Sequence, residues 1–489
     1  MKRWRGCGTA VGQQAEVSCL RHAKRWHVAM RCAVLILLGS LLAAGEPVVA
    51  TAHAQPRALA MGAVTADWPC FMGPRHDGTS TETRIAASWP AEGPKLLWSL
   101  PRGTGYASPS IVGERLIYQH RLGDEDVVEC LDPLSGARRW QARFPSAYRD
   151  RYGYNSGPRA TPLIDGERVY VYSQLGVLRC LDSATGAVRW SRDLNGDYKV
   201  PQNFFGVGTT PLLEGELLIV NVGSPQGPSV IGIDRLTGMT RWGCDDEWGA
   251  SYASPVPATF HGKRRVLVFA GGESRPAIGG LLCIDPATGK ADFRVAWRSR
   301  SYESVNAATP LIIGDQVLIT SSYQTGGALV KVNPDFTATT TWTTPGMACH
   351  FSTPALIDGH LYGFNGRNEP DVELACIELA TGKTVWSEAP RWTETWSENN
   401  QPRSAEVGIF RGQFLRIDGR VLCLGELGHL LWLDLSPKGY QEVARARLFL
   451  APESWTPPVV SRGLLYICQN HTGYDGTPTR LLCYDLRGE

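Results

Sequence analysis

Eight short segments of the chain carry aromatic, guanidinium or imidazole side chains just before a strand that begins at proline or a small residue. Aromatic faces combined with bidentate guanidinium groups suit a flat or anionic ligand. We predict that these side chains form a ligand-binding ring: Tyr106, Arg159, Phe205, Tyr252, Glu303 with Asn306, His350, Arg403 and Trp455. In this hypothesis, Arg159 and Arg403 grip an anionic or peptide-like ligand, while Tyr106, Tyr252 and Trp455 stack against it. The alternative is that the groups bond one another and water, and simply fill the channel.

The same segments do not indicate a metal or a catalytic group. Cys349 and His350 are neighbours on an extended segment, where successive side chains point to opposite faces, so both cannot reach one metal. Glu303 and Asn306 would serve calcium only if a further carboxylate converged on them. No CxxC pair is present, so zinc is not indicated. The sequence therefore predicts no catalytic and no metal-ligating residues.

A repeat of about fifty residues must position this ring. One clear copy begins at Ala160-Thr161-Pro162, continues to Cys180-Leu-Asp182 and Thr185-Gly186, and ends at Trp190. Copies made of four short strands cannot bury their own faces and must stack on one another. Inner strands are predicted near Pro109, Pro162, Pro211, Pro255, Pro310 and Pro354, with weaker starts near Ala405-Glu406 and Pro457-Pro458.

Each copy ends in a tight turn followed by a tryptophan strand. Asp182 is expected to cap backbone N–H groups of such a turn, and Gly186 to take a positive φ. The outer-strand tryptophans are Trp98, Trp140, Trp190, Trp242, Trp297, Trp342 and Trp386. Cysteines recur two residues before the turn aspartate or glutamate in several copies, where we expect small buried residues rather than disulfides.

The two ends of the chain complement each other. The last copy stops after Asp485 without a tryptophan strand, whereas Lys95–Leu100 contains Trp98 but has no inner strands before it. We therefore predict an all-β, eight-bladed propeller over residues 94–489, closed by pairing of the N-terminal strand with the last blade.

These motifs resemble the pyrroloquinoline-quinone (PQQ) repeat family, which implies the eight-bladed, quinoprotein alcohol dehydrogenase-like fold. The resemblance also implies that the seven tryptophans dock between blades as a belt. One branch of the family contains dehydrogenases that bind PQQ with calcium and show an adjacent Cys–Cys pair, which this chain lacks. The other branch is typified by the propeller scaffold of the outer-membrane assembly machine. We predict no cofactor, with PQQ and calcium as the alternative.

Residues 1–54 read as an export leader, because an apolar run from Ala33 to Ala44 follows basic residues and precedes Ala52-His53-Ala54. A start at Met30 would give a leader of normal length. Residues 55–93 contain Asp67-Trp68-Pro69 and Asp77-Gly78, a pattern similar to the opening of secreted PQQ-repeat proteins, and we expect them to act as a structural clasp. No membrane span is expected in the mature chain.

The charge distribution bears on the partner. The formal net charge of the 489 residues is +2, but seven basic residues against two acidic ones fall within 1–54, so the remainder is mildly acidic. This argues against nucleic acid as a partner. We predict that the protein is exported and is periplasmic or associated with the cell envelope. We expect it to act as a non-catalytic scaffold for binding or assembly. Its predicted partner is an envelope protein or peptide, or a small anionic ligand. The alternative is a PQQ-dependent dehydrogenase that oxidises alcohols or sugars.

Overall fold

The computed structural model describes residues 49–368 and 370–489, which belong to one compact unit. Within them, seven four-stranded antiparallel sheets and one five-stranded sheet form the blades, and the eight-bladed propeller is confirmed. Most of the predicted leader, up to residue 48, lies outside the described residues. Its last part includes β1 (Thr51–Ala52), which adds to the outer edge of β2 (Lys95–Pro101).

The first four blades are regular. Blade 1 contains β3 (Ser110–Val112), β4 (Arg115–Leu122), β5 (Glu125–Leu131) and β6 (Arg138–Pro145). Blade 2 contains β7 (Leu163–Asp165), β8 (Arg168–Tyr172), β9 (Val177–Asp182) and β10 (Val188–Asp193), followed by the one-turn helix α1 (Leu194–Tyr198). Blade 3 contains β11 (Leu212–Glu214), β12 (Leu217–Asn221), β13 (Pro228–Asp234) and β14 (Thr240–Asp245). Blade 4 contains β15 (Val256–Phe260), β16 (Lys263–Ala270), β17 (Gly280–Ile284) and β18 (Ala291–Ala296).

The second half contains an insertion and the closing strand. Blade 5 contains β19 (Leu311–Ile313), β20 (Gln316–Ser321), β21 (Gly326–Val332) and β22 (Ala338–Thr344). Blade 6 contains β23 (Ala355–Ile357), β24 (His360–Asn365), β25 (Glu373–Glu378) and β26 (Thr384–Glu388). The inserted hairpin is β27 (Arg391–Glu398) with β28 (Gln401–Gly408). Blade 7 contains β29 (Gln413–Ile417), β30 (Arg420–Leu424), β31 (His429–Ser436) and β32 (Gly439–Arg447). Blade 8 contains β33 (Val459–Ser461), β34 (Leu464–Cys468) and β35 (Arg480–Asp485), completed by β2.

The predicted closure of the ring is confirmed. Strand β2 pairs antiparallel with β35, with Leu96 opposite Tyr484 and Trp98 opposite Cys483. Without this pairing, β35 would be an exposed edge strand. Strand β2, which precedes all the blades in the sequence, becomes the outer strand of blade 8 and covers that edge.

Tryptophan–turn contacts join most neighbouring blades. The Trp140 indole N–H of blade 1 donates to the Ser183 carbonyl in the blade 2 turn, at 3.0 Å. Gly186 of that turn faces the same indole so closely that a Cβ would lie 2.5 Å from a ring carbon. The indole N–H groups of Trp98, Trp190, Trp242, Trp342 and Trp386 donate in the same way to Pro133, Arg235, Pro286, Leu379 and Ser436. The turn glycine is thus required both for its positive φ and for close packing.

Strand register corrects one member of the predicted belt. Cys283 lies opposite Phe293, at the position where Cys180 lies opposite Trp190. Trp297 comes four residues later and donates to the Gly326 carbonyl at 3.4 Å, so it is not a belt residue. Blade 5 has no glycine in the corresponding turn. Phe336 of that turn packs in the hydrophobic cluster that also contains Phe293.

The interface between blades 7 and 8 is filled differently. Ala444 occupies the belt position of blade 7, and the large residue is Trp432 on the opposing strand. Trp89, from the segment before β2, packs on Trp432 with ring centroids 5.6 Å apart. The same segment reaches the last turn through a bridge between Ile85 and Arg487. An N-terminal residue therefore supplies the aromatic packing that the blade lacks.

Residues 66–82 cover the end of the central channel at which the inner strands finish. Trp68 exchanges backbone hydrogen bonds with Ile111 of blade 1, and Arg416 of blade 7 bonds to Gly78 and Ser80. Between these points, Cys70 and Met72 lie against the inner strands of blades 3 and 4 and leave a cavity of only about 10 Å³. This end of the channel is consequently closed.

The ten cysteines of the described residues are all free and buried, and these include the five in the repeat slot that the sequence predicts to be buried. Burial raises the pKa of Cys180 to about 11 and that of Cys283 to about 12. Since the thiolate is the nucleophile and metal ligand, these groups are packing residues rather than reactive ones.

A glycine pair tests the tryptophan–turn contact. Gly166 and Gly186 both have positive φ, but a Cβ at Gly166 meets nothing within 4 Å. We expect Gly166→Ala to cost about 1 kcal/mol, the backbone penalty alone. Gly186→Ala should cost about 1–3 kcal/mol more, because its methyl group overpacks against Trp140. Thermal unfolding of both variants measures the difference, and equal midpoints would contradict the contact.

Candidate functional site

A pocket of about 220 Å³ lies on the propeller axis at the end where the inner strands begin. All eight blades contribute a residue of the loop that precedes their inner strand, because these loops converge at one end of a closed ring. Six predicted ring residues line the pocket: Tyr106, Arg159, Phe205, Tyr252, His350 and Trp455. We call this cavity the axial pocket.

Three predicted ring residues do not line the axial pocket. Asn306 is buried, and its side-chain amide donates to the carbonyls of Ala270 and Trp297, so it fixes a loop. Glu303 is exposed and accepts from the Ser301 hydroxyl at 2.7 Å. Arg403 lies on the exposed strand β28, where it pairs with Glu398 at 3.0 Å.

The prediction for Arg403 is wrong because the hairpin is an insertion. Ala405-Glu406 lies in β28 and pairs with β27, so it does not begin the inner strand of blade 7. That strand is β29, which starts at Gln413, and the residue that approaches the axis before it is Arg411.

The sequence interpretation also missed five aromatic or arginine residues of the lining: Tyr154, Tyr323, Phe351, Arg367 and Arg411. Tyr323 and Arg367 come from loops between the second and third strands of blades 5 and 6. In an antiparallel blade, those loops end on the same face as the loops that lead into inner strands. The alternation of strand direction is the signal that could have identified them.

Aromatic rings form a continuous wall around the axial pocket. Tyr106 stacks on Trp455, with ring centroids 5.2 Å apart and an interplanar angle of 24°. From Trp455 the contacts run one way through Tyr154 and Phe205, each step 5.5 Å, and the other way to Phe351, also 5.5 Å. Such rings bring large apolar faces and polar edges into one cavity.

Two of the three lining arginines are neutralised. Arg159 pairs with the buried Asp150 carboxylate at 2.9 Å. Arg411 forms a buried two-pronged pair with Glu426, whose other contact is the Trp455 indole N–H at 2.7 Å. Truncating one partner of such a pair would leave an uncompensated buried charge. These two pairs therefore hold the aromatic wall in place.

Positive charge and burial both act on His350. Burial, followed by the positive charges of Arg411 and Arg367, lowers its pKa to about 3. Tyr106 shows the opposite effect: burial and the neighbouring Glu453 carboxylate, to which its hydroxyl donates, raise its pKa above the ordinary value. At neutral pH both groups are uncharged, so the arginines provide the charge that faces the pocket.

A second cavity continues from the axial pocket beneath the inserted hairpin. It has a volume of about 560 Å³ and shares Tyr154, Arg411 and Trp455 with the axial pocket. Trp396 of β27 and Tyr474 form its far end, with ring centroids 5.8 Å apart. We call it the hairpin groove.

A family model described as outer membrane protein assembly factor BamB matches residues 124–388, more than half of the chain. The chain belongs to this family. The predicted resemblance to PQQ-repeat propellers is thereby confirmed. No curated protein sequence matches.

Solved structures show the same fold at low sequence identity. BamB from Moraxella catarrhalis is 16% identical, with a TM-score of 0.51, and the match covers 81% of this chain and 98% of that one. Quinohemoprotein alcohol dehydrogenase from Comamonas testosteroni is 14% identical, with a TM-score of 0.57 and coverage of 86% and 81%. The enzyme ADHIIG from Pseudomonas putida HK5 is 13% identical, with a TM-score of 0.53 and coverage of 86% and 80%. BamB and the quinohemoprotein alcohol dehydrogenases thus have the same fold as this chain.

The donor set at the axial pocket does not fit the calcium that accompanies PQQ. Calcium takes six to eight oxygen ligands, usually including free carboxylates. Here Asp150 and Glu426 pair with arginines, and Glu453 accepts from Tyr106 and pairs with His471. Within residues 49–368 and 370–489, no group of three or more His, Cys, Asp or Glu side chains is arranged to hold a metal ion. In the same part of the chain, no helix has the length and apolarity that crossing a membrane requires.

The lowered pKa of His350 predicts a pH dependence of stability. The unfolded chain takes up a proton near pH 6.5, whereas the folded chain does so only near pH 3, so stability falls as the pH drops between these values. From pH 7 to pH 5 this group alone should cost about 2 kcal/mol. Unfolding of His350→Phe should show a shallower pH dependence than the wild type and than His360→Gln, a control on strand β24. An unchanged dependence would contradict the burial of His350.

Proposed function

We propose that the protein is an exported binding scaffold of the cell envelope that holds a segment of another protein in its axial pocket. Membership of the BamB family supports the scaffold role. The observation that carries the proposal is a pocket walled by aromatic rings and guanidinium groups at the one end of the channel that residues 66–82 leave uncovered. Tyrosine, tryptophan and arginine are the side chains that dominate protein-binding hot spots.

Preorganisation supports the same proposal. Arg159 and Arg411 are held by Asp150 and Glu426, so their side chains are already ordered before a partner arrives. A rigid site loses less conformational entropy when it binds. The exposed Tyr152, which contacts Phe205 at the lip of the pocket, extends the aromatic surface outward.

A photo-crosslinking experiment tests this function. The photoreactive residue p-benzoylphenylalanine replaces Tyr154, which lines both the axial pocket and the hairpin groove, in the native host. The matched control carries the same residue at Val188, an exposed position on the outer strand β10. We expect one defined envelope-protein segment, identified by mass spectrometry, to crosslink at position 154 and not at 188.

Two outcomes would contradict the proposal. One is the absence of a 154-specific adduct in cells that produce folded protein. The other is a bound-quinone absorption band with alcohol-dependent dye reduction after purified protein is mixed with PQQ and calcium, which would support the dehydrogenase alternative.

A further inference from the structure

Arg367 differs from the other two cations of the axial pocket. Its side chain is exposed, and the guanidinium lies 4.1 Å from the ring centroid of Tyr323. Among the described residues, which leave out its near neighbour at position 369, no carboxylate forms an ion pair with it. Arg159 and Arg411, in contrast, each hold a buried carboxylate. No ion pair among the described residues therefore neutralises the Arg367 guanidinium, which is available to bind a ligand.

The position of Arg367 is fixed by its surroundings. Its backbone carbonyl accepts from the Arg411 guanidinium at 3.0 Å, which ties the loop to the neutralised pair. The face of Tyr323 supports the guanidinium plane, an arrangement in which arginine retains its outward hydrogen-bond donors. Its positive charge also lowers the pKa of the partly buried His350, after the effects of burial and Arg411. Arg411 and Arg367 thus both act on His350 through their positive charge.

The cavity volumes limit what the ligand can be. A volume of about 220 Å³ equals about seven water molecules, which suits one or two side chains rather than a folded element. The hairpin groove adds about 560 Å³ and opens directly from Trp455 and Arg411. A ligand with its charged end in the axial pocket therefore has a path for a continuing chain beneath the hairpin.

We propose that the axial pocket recognises a carboxylate carried by a short peptide segment beside an aromatic residue, with Arg367 as the group that binds the carboxylate. The aromatic neighbour packs between Tyr323, Phe351 and Trp455, and the chain leaves through the hairpin groove. This proposal rests on the proposed function, since it names the ligand chemistry of the same pocket. The carboxylate belongs either to an acidic side chain or to a chain terminus, and both offer the same bidentate partner for arginine.

Isothermal titration calorimetry with small peptides tests the proposal. The side-chain arm compares Ac-Asp-Phe-NH2 with the neutral Ac-Asn-Phe-NH2, and the terminal arm compares Ac-Phe-OH with Ac-Phe-NH2. We expect at least one acid to bind about tenfold or more tightly than its amide, as for a hydrogen-bonded charge pair. The arm that shows the difference identifies the source of the carboxylate.

Two arginine-to-glutamine variants test whether Arg367 is the group that binds the carboxylate. Arg367→Gln should abolish the preference for acid over amide while leaving the thermal midpoint unchanged, because the side chain is exposed. Arg403→Gln, which removes an arginine on the hairpin outside the axial pocket, should keep the preference. Equal binding of acids and amides by the wild type, or an acid preference that survives Arg367→Gln, would overturn the proposal.

The proposal and the broader function can fail separately. If the 154-specific crosslink appears but neither acid binds better than its amide, the scaffold function stands and the carboxylate chemistry is wrong. If neither the crosslink nor peptide binding is observed, both are wrong.

Discussion

The contact between a tryptophan of one blade and the aspartate–glycine turn of the next determines most of this structure. The indole N–H bonds to a turn carbonyl, and the absence of a glycine side chain lets the ring pack flat on the turn. Because each contact fixes the angle between neighbouring blades, the eight blades close a circle only when the last strand comes from the other end of the chain. The axial pocket exists because this circle brings loops from distant parts of the sequence together.

At the two blade interfaces of the described residues that lack the tryptophan–turn contact, other aromatic residues pack the neighbouring blades together. Phe293 and Phe336 fill the interface between blades 4 and 5. Between blades 7 and 8, Trp89 packs on Trp432, so the segment before β2 completes the wall. Residues 66–82, earlier in the same N-terminal region, close one end of the channel, which leaves the pocket end as the face that a partner can approach. The N-terminal region thus contributes both to blade packing and to the shape of the channel.

The fold could be predicted from the sequence because the residues that recur in each repeat are the ones that form the contacts between blades. Trp190, Gly186 and Pro162 recur with the repeat, and the orphan strand around Trp98 showed where the ring closes. Arg403 was misplaced because the hairpin insertion has the strand pattern of a blade without its turn. Arg367 and Tyr323 were missed because their loops have no repeated residue; only the three-dimensional path of each blade brings them to the axis.

Hydrogen–deuterium exchange of strand β2 tests the closed ring most directly. If β2 completes blade 8, the amides of Lys95–Leu100 that bond to β35 should exchange as slowly as those of Arg480–Asp485, their partners in the sheet. Both segments should then lose protection together as denaturant is raised, since they form one cooperative unit. Fast exchange of β2 beside a protected β35 would show an open ring and contradict the account.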